Sequence, residues 1–309
     1  MPGLSDLIAG VYHDRSISLR DDPIFRFNPD IAFTDTEPKS ILSRALDIAL
    51  KAVLKIPALR RRYERWVFRR TEALFKSKGQ HFVHIDMQAH SYASHQTKQK
   101  TFWKPGRAEE AMAKPFNISH VKPEPQLTFQ DSEIKNASTI LEQHNIRSPF
   151  IAVEPDTNRD WFGDLRAWPM SRWQDVCDKL SKQYPNITIV QIGMGRGGLL
   201  NDVIDLTNKT DFRTVSIIIK EAALFMGTEG GLMHAAKAVN APAVILWGGI
   251  TIPEFIGYPD DQVTLCKHVD CAPCGNAGWC DQGHKCMLQI TPAEVIHAAT
   301  SLLDKRKGT

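Results

Sequence analysis

This sequence predicts an α/β fold with a parallel sheet in the second half of the chain, on three observations. After Pro149, apolar runs of strand length alternate with amphipathic segments of helix length. Strands alternating with helices imply a parallel sheet with crossover helices. One apolar run ends in the glycine-rich turn Gly227-Thr228-Glu229-Gly230-Gly231, which opens a segment of small residues. The third observation is length. The chain has 309 residues, enough for two domains at roughly 100–200 residues each. The boundary is expected near Ser148-Pro149, giving domains over 1–148 and 149–309.

In chain order, Gly3-Leu4-Ser5-Asp6-Leu7-Ile8 reads as a loop leading into a helix. Asp21, Asp22, Pro23, Asn28, Pro29 and Asp30 are turn formers. Residues 40–77 read as helix, because Leu42, Ala45, Leu46, Ala49, Leu50, Val53 and Leu54 recur at helical spacing. Pro57 interrupts it. His81-Phe82-Val83-His84-Ile85-Asp86 is a short strand candidate, residues 100–130 have little periodicity, and 131–145 read as a helix ending near Asn145.

In the second half, Phe150-Ile151-Ala152-Val153 reads as a buried strand. Ser171 to Tyr184 is an amphipathic helix with Trp173, Val176, Cys177 and Leu180 on one face. Ile187–Ile192 and Leu224-Phe225-Met226 are strands, and Ser216 to Ala223 precedes the latter. A helix then runs from near Gly230 to Val239, and Ala243 to Trp247 is a further strand.

Composition narrows the function. Hydrophobic residues make up 42% and charged residues 24%, which excludes wholesale disorder. No run nears the ~18 apolar residues of a membrane-spanning helix. Met1 to Ser18 lacks a charged-then-apolar leader pattern, so the cytoplasm is the expected compartment. The net charge is +3, yet residues 41–80 hold 11 Lys/Arg against 3 Asp/Glu, a local +8 that leaves −5 elsewhere. That argues against a nucleic-acid binder with a broad basic face. The basic segment is either a solvated helix face or a docking patch for an anionic membrane surface or a phosphorylated glycolipid.

The turn Gly227 to Ala236 is the sharpest chemical element. Glycines at a helix start let backbone N–H groups approach a ligand, and the helix N-terminus favours phosphate. The lip of a parallel sheet is where ligands bind in such folds. The bland alternative is a tight turn whose glycines serve packing alone. Gly193-Met194-Gly195-Arg196-Gly197-Gly198 imitates a dinucleotide fingerprint, but its third glycine comes one residue early. It reads as a loop near a nucleotide rather than an NAD site.

The run Gly227-Thr228-Glu229-Gly230-Gly231-Leu232-Met233-His234-Ala235-Ala236, followed by Ala241-Pro242-Ala243-Val244-Ile245-Leu246-Trp247-Gly248-Gly249, resembles the signature of glycosyltransferase family nine. These are the ADP-heptose:lipopolysaccharide heptosyltransferases and their relatives. Arg166-Ala167-Trp168-Pro169 with Trp173 resembles the family's basic-x-Trp-Pro region. The resemblance implies a GT-B-like fold of two Rossmann-like domains, here with a shortened or divergent N-terminal one. It implies inverting transfer of a sugar, heptose from ADP-heptose above all, to a glycan, glycolipid or protein acceptor, with no metal required for the transfer. The donor-binding set it implies is Thr228, Glu229, Gly230, Gly231, Met233, His234 and Gly248. Arg166 would stabilise the leaving phosphate where the family usually has lysine. Asp6 would be the general base, although a helix cap is an equal reading of it. Without a base, the chain would be a non-catalytic nucleotide-sugar or glycan-binding protein. A metal-dependent redox or scaffold protein built on the cysteines is a third option.

Cys271-x2-Cys274-x5-Cys280-x5-Cys286 forms the second cluster, within a loop over 266–287. Four thiolates at this spacing fit a structural zinc or iron site; free thiols and two disulfides are the competing readings. Cys177 on an apolar helix face and Cys266 at a strand end are expected to be buried thiols.

Overall fold

The computed structural model describes Arg69, Arg107 and residues 125–156, 163–274 and 280–307. The chain divides into two compact units, Met1–Ile85 and Asp86–Thr309. The expectations for Asp6, for the strand at 81–86 and for the basic helices lie outside the described residues, apart from Arg69, which is helical and exposed.

The second unit contains a six-stranded sheet in the order β3-β2-β1-β4-β5-β6. Its strands are β1 (Phe150–Glu154), β2 (Thr188–Gln191), β3 (Ile204–Asp205), β4 (Leu224–Thr228), β5 (Ala243–Trp247) and β6 (Val263–Cys266). Every neighbouring pair is parallel. Strands β1, β4 and β5 are buried at every residue, which is why they read as unbroken apolar runs rather than as alternation.

Helices cover both faces. The helices are α1 (Asp131–Gln143), α2 (Met170–Gln183), α3 (Phe212–Glu221), α4 (Gly231–Ala238), α5 (Pro253–Ile256), α6 (Lys285–Leu288) and α7 (Pro292–Lys307). Phe150, Ala152, Phe225 and Ile245 face one core with Ile218 of α3 and Ala236 of α4. Ile151, Val153, Met226 and Leu246 face the other, with Trp173 of α2 and Val295 of α7. The alternation along each strand thus feeds two cores. Helix α1 precedes the sheet in sequence and packs on α3. Buried Arg213 ties the two, with Nε 2.6 Å from Glu133 Oε1 and an NH2 bond to the Thr128 carbonyl.

Order matters most at the centre. Strands β1 and β4 are neighbours in the sheet but distant in sequence, so the crossovers leave them on opposite sides. This is the topological switch point, whose C-terminal lip forms a crevice in open α/β sheets. Glu154, Thr228 and Glu229 all fall at that lip.

Candidate functional site

The site begins with β4 and its turn. Glu229 N–H still bonds to the Leu246 carbonyl at 3.1 Å, so the sheet carries the chain to the turn itself. Gly230 then stands before α4 with extended backbone and offers no side-chain cap. The first N–H groups of a helix have no partner within it. Here nothing from Gly230 covers them, and a side chain added at Gly231 would meet no atom within 4 Å. An uncapped helix start opening on free space suits an anion.

Charged groups stand beside it. Glu229 is 1% exposed. Its Oε1 lies 3.3 Å from Arg166 Nε, and its Oε2 accepts a 3.2 Å hydrogen bond from the Thr251 hydroxyl. Burial raises the Glu229 carboxyl above the ordinary carboxylate range, while Arg166 and Thr251 oppose that rise. Arg166 closes the 3-10 turn Gly163–Arg166. Its place is fixed two residues later. Trp168 is buried, its indole N–H bonds to the Ile290 carbonyl at 3.1 Å, and its ring stacks edge-on against Trp173 at 5.1 Å. The Arg-x-Trp-Pro run therefore places a cation with an aromatic anchor.

His234 sits on the first turn of α4. Its Nδ1 lies 2.7 Å from the Tyr258 hydroxyl. Burial pushes the imidazole down to about 3, so the ring is neutral at physiological pH. One ring nitrogen is engaged by Tyr258; a neutral ring offers a single N–H, whose position that bond sets.

Among the other expected donor-site residues, Thr228 is fully buried and its hydroxyl has no hydrogen-bond partner among the described residues. Gly248 follows β5 in close quarters, since an added Cβ would come 3.3 Å from the Leu165 carbonyl and 3.8 Å from Glu229 Oε1. Met233 points into the apolar core. Its backbone carbonyl accepts from Gln262 Nε2 at 3.0 Å. Arg196 is exposed in the glycine-rich loop after β2.

Sequence reasoning missed Glu154, Thr251 and Tyr258. Glu154 had a readable signal: it is the one ionisable residue in an otherwise apolar strand, Phe150–Glu154. Thr251 and Tyr258 reach the site through tertiary packing and carry no local pattern.

The cysteines are less well gathered than their spacing suggests. Cys271, Cys274, Cys280 and Cys286 are each half-buried. Cys286 lies within electrostatic reach of both Cys280 and Cys271, and burial raises its thiol. The donor chemistry suits zinc or iron. Among the described residues, however, no group of three or more His, Cys, Asp or Glu side chains stands close enough to hold an ion. Cys177 is buried as expected, its thiol pushed up to about 12 by burial. Cys266 is instead half-buried, because β6 is the sheet edge.

The parallel sheet thus carries a cation, a carboxylate and a helix start without a side-chain cap at its switch point. The family model described as glycosyltransferase family 9 (heptosyltransferase) matches residues 75–280, two thirds of the chain, and the chain belongs to that family. The lipooligosaccharide heptosyltransferase 2 of Campylobacter jejuni subsp. jejuni serotype O:2 is 26% identical over 155 residues, 46% of this chain and 48% of that protein. Its counterpart in serotype O:6 is 25% identical over 154 residues, again 46% and 48%. The chain thus spans about half the length of the curated relatives it matches. The solved glycosyl transferase family 9 structure from Veillonella parvula DSM 2008 is similar in fold, with a TM-score of 0.52 at 17% identity over 67% of this chain and 63% of that one. The fold class is the α/β, GT-B-like one expected. Among the described residues, no helix is long and apolar enough to cross a membrane.

Proposed function

We propose that this protein is a glycosyltransferase that moves a sugar, heptose from ADP-heptose above all, onto a glycan, glycolipid or protein hydroxyl. The single observation that carries the reading is the Arg166–Glu229 pair beside the uncapped start of α4. The family's heptosyltransferase description and the names of the Campylobacter relatives support the sugar and a lipooligosaccharide acceptor.

In this reading the α4 N–H groups hold the donor diphosphate, and Arg166 faces the oxygen on which charge develops. Fixed positive groups at that point are the largest expected contribution to rate. Glu229 keeps Arg166 oriented and contacts sugar or ribose hydroxyls. His234, neutral, gives an N–H to the donor, and Thr228, Gly230, Gly231 and Gly248 shape the floor. The acceptor hydroxyl gives its proton to Asp6 while its oxygen attacks the anomeric carbon from the face opposite the phosphate. The bond from that carbon to the phosphate oxygen breaks, and ADP leaves with inversion.

Residues 1–148 are proposed as the acceptor side and 149–309 as the donor side. We place the protein in the cytoplasm, where the basic segment at 41–80 would meet the anionic inner face of the membrane. A structural zinc or iron on Cys271, Cys274, Cys280 and Cys286 is a separate proposal. It is supported by their spacing and by the nearness of Cys286 to two of the others, and no step of the transfer depends on it.

The test is to incubate the protein with ADP-heptose and a truncated lipooligosaccharide core, then measure released ADP and acceptor mass. A heptose-mass gain on the acceptor is expected. ADP-heptose binding without turnover in the presence of core acceptors would favour the non-catalytic binding protein instead.

A further inference from the structure

Glu154 is a carboxyl that the transfer described above does not use. It ends β1 with Gly227 of β4 as its register partner, so it stands at the switch-point crevice itself. Its residue is 6% exposed, and its Oε2 has no hydrogen-bond partner among the described residues. Glycines wall it in. An added Cβ at Gly193, after β2, would come 3.1 Å from its Cγ, and one at Gly227 would come 3.5 Å from its Cβ. Gly193 is thus small where this side chain needs room, while at Gly227 a Cβ would make ordinary contact with it.

The charged groups around it come from each neighbouring segment. Asp156 follows on its own loop, and Arg166 reaches in from the 3-10 turn. Beyond β4, Glu229 takes the Arg166 ion pair, and the first turn of α4 brings His234, which is neutral. A buried ionised carboxylate without a hydrogen-bonding partner is costly, and such a group keeps its proton instead. Burial first, then Asp156, raise Glu154 to about 8, with Arg166 opposing. A neutral carboxylic acid is a donor, whereas a carboxylate only accepts. Beside a bound anion, the acid attracts and the carboxylate repels.

We propose that Glu154 contacts the nucleotide directly, its carboxylic acid donating a hydrogen bond through Oε2 to a diphosphate oxygen, so that donor binding takes up a proton at this residue. The inference rests on the nucleotide-sugar reading above. Its test is calorimetric titration with ADP from about pH 6.5 to about pH 9.5, in buffers of differing ionisation enthalpy, for the wild type and Glu154→Gln. In the wild type, affinity falls by up to about tenfold per pH unit above about pH 8, and ADP binding takes up about half a proton near pH 8, rising to most of one by about pH 9. Glu154→Gln binds ADP without that fall and without that uptake. The ionisation of ADP itself is common to both proteins and cancels in the comparison.

Equal pH dependence and equal uptake in the two proteins overturn the inference and leave the donor site standing. Failure of folded wild type to bind ADP at any pH overturns the donor site and this inference together. If Glu154→Gln does not fold, the wild type decides alone, and ADP binding with no proton uptake near pH 8.5 refutes the role.

Discussion

Arg166 Nε stands 3.3 Å from Glu229 Oε1, joining the 3-10 turn after β1 to the turn after β4 across the switch point of the sheet. The pair is buried, with side chains 13% and 1% exposed. Removing one partner of such a pair costs more than removing both, because the other is left without its counter-charge. Arg166→Ala is therefore expected to destabilise more than the double variant Arg166→Ala/Glu229→Gln, with a coupling of about 1–3 kcal/mol in a double-mutant cycle. Denaturant unfolding measures it. The gap widens from pH 5 to pH 8, because Glu229 without Arg166 resists ionisation still more strongly. Additive effects would show that the pair is not coupled.

His234 and Glu154 give stability opposite slopes with pH. The folded-state imidazole of His234 is lowered to about 3, while the unfolded value is about 6.5. Below about pH 6.5 the unfolded chain binds the extra proton, so this contribution is full above that pH and is lost as pH falls toward 3. Glu154 is raised to about 8 when folded, against about 4.3 unfolded. Its folded state binds the extra proton, so stability falls as pH rises from about 4.3 to about 8. Glu154→Gln is expected to be more stable than the wild type at pH 8, with the gap closing near pH 4. His234→Gln should lose less stability than the wild type between pH 6.5 and 4.5. Thermal melts across that range check both.

Gly227 is a packing glycine as well as a turn glycine. A Cβ there would come 2.8 Å from Phe225 Cζ, a ring buried in the core. Overpacking of this kind costs about 1–3 kcal/mol, so Gly227→Ala should lower the unfolding free energy by that amount. Gly231→Ala meets no atom within 4 Å. It should fold normally and weaken nucleotide binding by crowding the helix start.

The cysteine loop touches the same lip. Cys274 N–H bonds to the Gly249 carbonyl at 2.7 Å, and an added Cβ at Gly249 would come 3.1 Å from Cys286 Sγ. If the loop holds a structural ion, elemental analysis of protein purified without chelator should give about one zinc or iron per chain. Cys286→Ser should lose it. Metal-free protein with an unchanged melting temperature would count against the ion.

Much of the sheet was legible because its central strands are buried on both faces. Phe150–Val153, Leu224–Met226 and Ala243–Trp247 read as strands and form β1, β4 and β5. The glycine turn and the helix after it were legible for the same local reason. Helix α3 starts at Phe212, where Asp211 caps it by accepting from Thr214 N–H. Strand β6 was legible only at its end, Cys266, because Val263–Cys266 is a half-buried edge without a continuous apolar run. In the site, Arg166, Glu229 and His234 carried local motifs, whereas Tyr258 meets His234 across 24 residues. Such partners are set by packing, which sequence spacing does not encode.

The central claim is a donor nucleotide site at the start of α4. Its most direct measurement is calorimetric and thermal-shift titration of the folded protein with ADP, UDP, GDP and CDP, alongside Arg166→Ala and His234→Ala. Ligands that bind the native state raise its melting temperature by linkage. ADP should stabilise the wild type selectively, and both variants should lose most of that shift while remaining folded. No stabilisation of the wild type by any of the four nucleotides would contradict the account.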